Sequence, residues 1–260
     1  MIISHKHKFI FLHARKCAGT TMEIILNKYL GPNDIQIGSW VETLANSGNF
    51  NKKAIKNSFF SISALKRTYK KLISNTLTGR GINLSNVINT SIKQVYKDRL
   101  GPNPASSSAE MVKDFDPKAW NNYFKFAFVR NPFEFEISDY FWRTKNFDKK
   151  IEFKDFLKRK LFISEDPENL VPSPPTNWPI YSINNKLVLD HIGQFEDLNN
   201  HISIIEKHIG LKLDISNYPV AKKGAYNASS AKNLYDLESI EMVRTLHHNE
   251  LKFFKYNYPF

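Results

Sequence analysis

One arrangement is written three times along this chain: a short apolar run rich in aromatic and β-branched residues, a tight loop, and a segment of helical period. The first run, Lys8 to His13, reads as a buried strand. A helix opens seven residues later, where Thr20 and Glu23 fit a capping box. Met22, Ile25, Leu26 and Tyr29 then keep to one face until Gly31-Pro32. The second run, Tyr123 to Val129, turns through Arg130, with Asn131 suited to a helix N-cap and Pro132 to the first helical position. The third, Lys186 to Ile192, leads into a helix carrying Leu198, Ile202, Ile205 and Ile209, ended by Gly210. Strands alternating with helices pair in parallel, so the predicted fold is α/β, three layers around a central parallel sheet.

The remaining chain divides around these units. Residues 46–108 are rich in Asn, Ser and Lys and read as an insertion between the first and second unit, closing on the loop-like run from Gly101 to Ser108. Pro172 to Pro175 marks another loop, and Leu237 to Phe254 reads as a closing amphipathic helix. At 260 residues the chain is expected to form a single domain with a sizeable core. No apolar run approaches the roughly 20 residues of a membrane span. The first residues lack the pattern of a signal peptide, and Cys17 is the lone cysteine. These features predict a cytoplasmic protein without a transmembrane segment or a structural metal.

Charge is concentrated. The chain carries a net charge of +12, and residues 51–100 hold eight lysines and three arginines against the single acid Asp98. Two readings stay open for this segment, a solvated basic face and a collector of anions. Nucleic acid is not expected, because the cations lack an ordered aromatic platform.

The loop after the first strand, Ala14 to Thr21, has the composition of an anion site. The first amides of a helix point outward without intrahelical partners, and the helix dipole adds positive charge there. Gly19 allows close approach, Arg15 and Lys16 supply charge, and Thr20 and Thr21 supply hydroxyls. In the common nucleoside-triphosphatase loop the lysine follows the last glycine. Here it precedes the glycine by three residues. At the second strand end, Arg130 offers a fork that matches a phosphate, and Ser138 lies about two helical turns beyond Asn131 on the same face.

The segment from His13 to Glu23 resembles the 5′-phosphosulfate loop of sulfotransferases that use 3′-phosphoadenosine-5′-phosphosulfate (PAPS), in particular the carbohydrate branch. Cys17 stands where that family more often has threonine. Phe126 to Tyr140 resembles the same family's 3′-phosphate motif. Trp178 to Tyr181, Gly193 to Leu198, Ala221 to Gly224 and the terminal helix are similar to its later landmarks. The resemblance implies a P-loop-like sulfotransferase fold, with PAPS as donor and 3′,5′-ADP as product. It places Arg15, Lys16, the Ala18 to Thr21 amides, Arg130 and Ser138 on the nucleotide. Lys223 is similar to a late loop that closes over it, where an arginine usual in the family is missing.

On this resemblance Lys16 is the catalytic residue, neutralising charge on the bridging oxygen without a metal. The acceptor is a small molecule or a saccharide, an anionic one included, offering a hydroxyl or an amine. A histidine that related sequences carry near Gly101 to Ser106 is missing here. The base is therefore open among His13, Glu23, Glu42 and Glu110, with capping the leading role for Glu23 and packing for His13. A P-loop kinase and a non-catalytic protein that binds nucleotide and anionic polymer remain as alternatives.

Overall fold

The computed structural model describes residues 1–59, 84–147, 149–162, 166–215 and 233–260. In chain order the first elements are β1 (Ile2–Ser4), β2 (Phe9–Phe11), α1 (Gly19–Asn27), β3 (Ile35–Gln36), α2 (Trp40–Ala45), α3 (Lys52–Phe59) and α4 (Leu84–Leu100). Next come α5 (Ala109–Phe115), α6 (Pro117–Asn122), β4 (Phe124–Val129), α7 (Pro132–Thr144), α8 (Phe153–Leu161) and α9 (Trp178–Tyr181). The last are β5 (Ser182–Ile183), β6 (Lys186–Leu187), β7 (His191–Gln194), α10 (Leu198–Ile209), α11 (Leu237–Leu246) and α12 (His248–Phe254).

The central sheet has the order β3-β1-β2-β4-β7. β2 pairs in parallel with β4, and β4 with β7, whereas β1 runs antiparallel to both β2 and β3. Four of its five strands therefore share one direction, and the expected parallel sheet is corrected to a mostly parallel one. The opposing strand is β1. Ile2 and Ile3 are fully buried, and the turn after Ser4 returns the chain through Lys8 at φ 57°.

The third unit also differs from expectation. Asn184 and Asn185 take φ of 49° and 58°, left-handed values that asparagine tolerates and that suit a tight hairpin. The hairpin pairs β5 with β6 and diverts Lys186 and Leu187 from the main sheet. The sheet strand thus begins only at His191.

Phe9, Phe11, Phe126 and Phe128 share one face of the sheet by strand alternation, are at most 1% exposed and belong to the main core. A second apolar cluster joins Phe133 and Ile137 of α7 to Phe156 and Leu157 of α8 and Val243 of α11. Between the clusters lies a buried ionic group. Lys160 Nζ donates to Glu136 Oε2 at 2.7 Å and to Asp139 Oδ2 at 2.8 Å, and His247 Nε2 lies 2.7 Å from Glu136 Oε1. Turning His247 inward breaks the expected closing helix into α11 and α12. Within the expected insertion, the described helices α3 and α4 pack on each other, and α4 packs on α2.

Candidate active site

β2 and β4 are neighbours in parallel register, Phe11 opposite Phe126, so the loops that follow them leave the same edge of the sheet. Ligands bind at the carboxyl ends of strands in open α/β sheets, and this edge carries a cavity of about 1090 Å³. Arg15, Lys16, Ala18, Gly19, Thr20 and Thr21 line it from one side. Arg130, just before α7, and Ser138, midway along it, line it as well. Eight of the residues singled out in the sequence therefore meet in one space. Lys223 lies outside the described residues.

The first loop is held in an unusual backbone shape. Lys16 and Ala18 both take φ of 60°, in the left-handed region. Alternation of this kind turns successive amides into a concave anion nest. Ala18 is the N-cap of α1 and makes no side-chain capping bond. Thr20 therefore lies inside the first turn, and the expected capping box does not form. Glu23 is instead fully buried and paired with the Met1 amine and with His13, whose Nδ1 lies 3.0 Å from Glu23 Oε1. Burial pushes the Glu23 carboxyl upward, but the Met1 ammonium and His13 outweigh it and hold the group at about 2. The ring of His13 covers Gly19 so closely that a Cβ there would lie 2.3 Å from it. Space, not a special φ, requires this glycine.

Arg15 lines the cavity while its side chain ties the loop to the run after Pro172. Its NH2 donates to the carbonyls of Pro174, Pro175 and Thr176 at 3.0, 3.0 and 2.8 Å. Asn177 closes the tie by accepting from the Arg15 amide at 3.2 Å and donating back to the Arg15 carbonyl at 2.9 Å. Cys17 is buried beneath the loop, and burial pushes its thiol up to about 12, which makes it packing material rather than a nucleophile.

At the second strand end Asn131 caps α7 as its sequence predicts, accepting from the Phe133 amide at 3.0 Å. Arg130 Nε and NH2 donate to Glu134 Oε2 at 3.2 and 3.0 Å, and its guanidinium carbon lies 4.8 Å from the centre of the Phe195 ring. Glu196 accepts from the Asn131 amide and from the Tyr256 hydroxyl, both at 2.7 Å, so the carboxyl-terminal strap braces the Arg130 turn.

Glu134 and Trp142, not singled out in the sequence, also line the cavity. Glu134, Ser138 and Trp142 stand four apart on α7 and all line the cavity, a spacing that helical period alone could have flagged. Trp142 is 53% exposed, with Lys16 Nζ 5.6 Å from its ring centre. Further lining residues are polar. Ser39 and Glu42 come from the start of α2, Asn89 and Lys93 from α4, and Asn103 and Ser106 from the segment where a histidine was expected. Of the candidate bases, Glu110 is exposed in the first turn of α5 and does not line the cavity. Among the described residues there is no group of three side chains suited to a metal, and no helix long and apolar enough to cross a membrane.

Two loops bearing cations leave one carboxyl edge of a mostly parallel α/β sheet and line one cavity, the arrangement of a candidate anion site. The profile of the sulfotransferase family matches residues 1–257, and the chain belongs to that family. An uncharacterized protein of Archaeoglobus fulgidus is 31% identical over 105 residues, covering 38% of this chain and 78% of its own length. No solved structure matches the chain.

Proposed function

We propose that this sulfotransferase takes its sulfuryl group from PAPS and passes it to a hydroxyl or amine of a polar acceptor, a saccharide above all. The carrying observation is that the phosphate-type loop at Lys16 to Thr21 and the Arg130–Ser138 pair line one cavity. The donor set fits two phosphate groups: a left-handed nest, helix α1 without a side-chain cap and two hydroxyls on one side, an arginine and a serine on the other. The chain is read as a single domain with a P-loop-like nucleotide site. Its lone cysteine suits a reducing compartment, and the reading puts the enzyme in the cytoplasm.

The donor supplies an activated sulfur whose bond to the bridging oxygen breaks as the acceptor oxygen or nitrogen bonds to it. Lys16 neutralises the charge gathering on that departing oxygen, and the nest amides hold the 5′-phosphate. Arg130 and Ser138 hold the 3′-phosphate, fixing the donor in line with the acceptor. Arg15 acts through its tie to residues 174–177, keeping the loop in shape.

The acceptor's proton needs a receiver. Glu23 is sealed in its pair with Met1 and His13, and Glu110 is away from the cavity. Glu42, half-buried on the polar wall, is the carboxylate we assign to this role. The hydroxyls and amides around it suit a polyhydroxylated acceptor better than a lipophilic phenol, and Lys93 beside them suits one bearing an acid.

Thermal unfolding with ligands tests the donor assignment. 3′,5′-ADP is expected to raise the melting temperature far more than ATP, GTP or 5′-AMP does. Equal shifts for all four would remove it. Transfer of labelled sulfate from PAPS to a panel of glycans, phenols and amines then tests the acceptor class.

A further inference from the structure

Arg130 does not meet the cavity alone. Both of its bonds to Glu134 end on one oxygen and use one edge of the guanidinium, the Nε–NH2 edge. The Phe195 ring fixes the plane of the group from its face. Glu134 lines the same cavity, so its carboxylate stands beside the volume that a phosphate on Arg130 would take. It also occupies the first turn of α7, where the helix terminus favours an anion. Arg130 and Glu134 side chains are 13% and 31% exposed, so their interaction is less screened than that of an open surface pair.

We infer that Glu134 orients Arg130 and at the same time opposes the 3′-phosphate, holding bisphosphate affinity below what Arg130 and Ser138 alone would give. The inference rests on the reading of those two residues as the 3′-phosphate site. A phosphate monoester bound to the fork brings about two negative charges close to the carboxylate, and part of the attraction is cancelled. A nucleotide with a 3′-hydroxyl meets no such opposition and gains little from an arginine already neutralised. Glu134 thus keeps the bisphosphate product weakly enough bound to leave. Product release limits turnover in many enzymes, and a built-in competing anion speeds it.

Calorimetric titration of the full chain with 3′,5′-ADP and with 5′-AMP tests this. Glu134→Gln, which keeps an acceptor for Arg130 and removes the charge, is expected to tighten 3′,5′-ADP binding by about five- to tenfold. Binding of 5′-AMP should change by less than about twofold, since that ligand carries no 3′-phosphate for the carboxylate to repel. Glu134→Ala, which also removes the orienting contact, should bind 3′,5′-ADP more weakly than Glu134→Gln. Unchanged or weaker 3′,5′-ADP binding in Glu134→Gln would overturn the inference and leave orientation as the role of Glu134. Wild-type protein that binds the two nucleotides equally would overturn the 3′-phosphate reading, and this inference with it. Should the glutamine variant fail to fold, Glu134→Ser supplies a second neutral acceptor in the first helical turn, with the same expected and overturning results.

Discussion

His13 lies over Gly19, its Nδ1 3.0 Å from Glu23 Oε1 and its ring where a Cβ on Gly19 would fall. The contact couples the chain just after β2 to the start of α1. Gly19→Ala forces the ring or the loop to move. It is expected to weaken 3′,5′-ADP binding by about tenfold or more and to cost about 1–3 kcal/mol, the usual range for overpacking. Removing the obstacle should reverse part of this: the double variant His13→Ala, Gly19→Ala should melt above Gly19→Ala alone. A double variant less stable than both singles would show that the crowding is not the cause.

The buried charges give stability a pH window. Glu23 sits at about 2 against an ordinary 4.5, because its burial is outweighed by the Met1 ammonium and His13. Asp139 sits at about 2 against 3.8, its burial outweighed by Lys160, Arg143 and Arg15. Depressed carboxyls stabilise the fold above their unfolded values and lose that contribution as pH falls through roughly 4 towards 2. His247 moves the other way. Burial alone would lower it, but Glu136 and Glu250 raise it to about 9 from 6.5. Its contribution is complete below about 6.5 and is lost as pH rises through about 9. Urea midpoints are therefore expected to fall on both sides of a plateau, and His247→Gln should remove the alkaline fall while costing about 3 kcal/mol at neutral pH. An alkaline fall that persists in His247→Gln would assign it elsewhere.

How much of this could be seen without coordinates varies with range. Asn131 and Pro132 act within one turn of chain, so their cap was legible, and so was the lysine–glycine order of the first loop. Lys160 was not. A lysine in an amphipathic segment reads as solvent-facing, and only the packing of α8 on α7 brings it to Glu136 and Asp139. The tie between Arg15 and Asn177 spans more than 160 residues, and nothing local announces it. The polar wall was hidden for the same reason. Asn89 and Lys93 fall in a segment whose composition signalled only charge, and they face the cavity because α4 packs on α2. The Asn184–Asn185 turn, by contrast, had a local signal in two residues that accept left-handed backbone, masked by the apolar run behind it.

Lys16→Ala tests the chemistry at the departing oxygen. A preorganised cation there acts on charge present mainly in the transition state, so its loss should lower kcat by at least about 100-fold. Binding of 3′,5′-ADP should fall much less, since the nest amides, Arg130 and Ser138 remain. Turnover within about twofold of wild type would refute the assigned role.

The polar wall predicts a separation between the two substrates. Glu42 and Lys93 line the cavity from α2 and α4, elements separate from those that carry Lys16, Arg130 and Ser138. If Glu42 receives the acceptor's proton, Glu42→Gln should lower kcat by about 100-fold or more and leave 3′,5′-ADP affinity in place, because general-base assistance of this kind contributes 10²–10⁴. Its pH–rate profile should also lose the acidic limb. Lys93→Gln acts on binding instead. With an acceptor bearing a carboxylate or sulfate it should raise the acceptor KM by about tenfold, the effect of one lost charge-assisted contact, and with a neutral glycan it should change little. Equal effects of Lys93→Gln on charged and neutral acceptors would show that α4 shapes the wall without reading charge. A change in 3′,5′-ADP affinity would instead place Lys93 on the nucleotide. Either result bears on the basic segment as a whole, since Lys93 is the member of it that lines the cavity among the described residues.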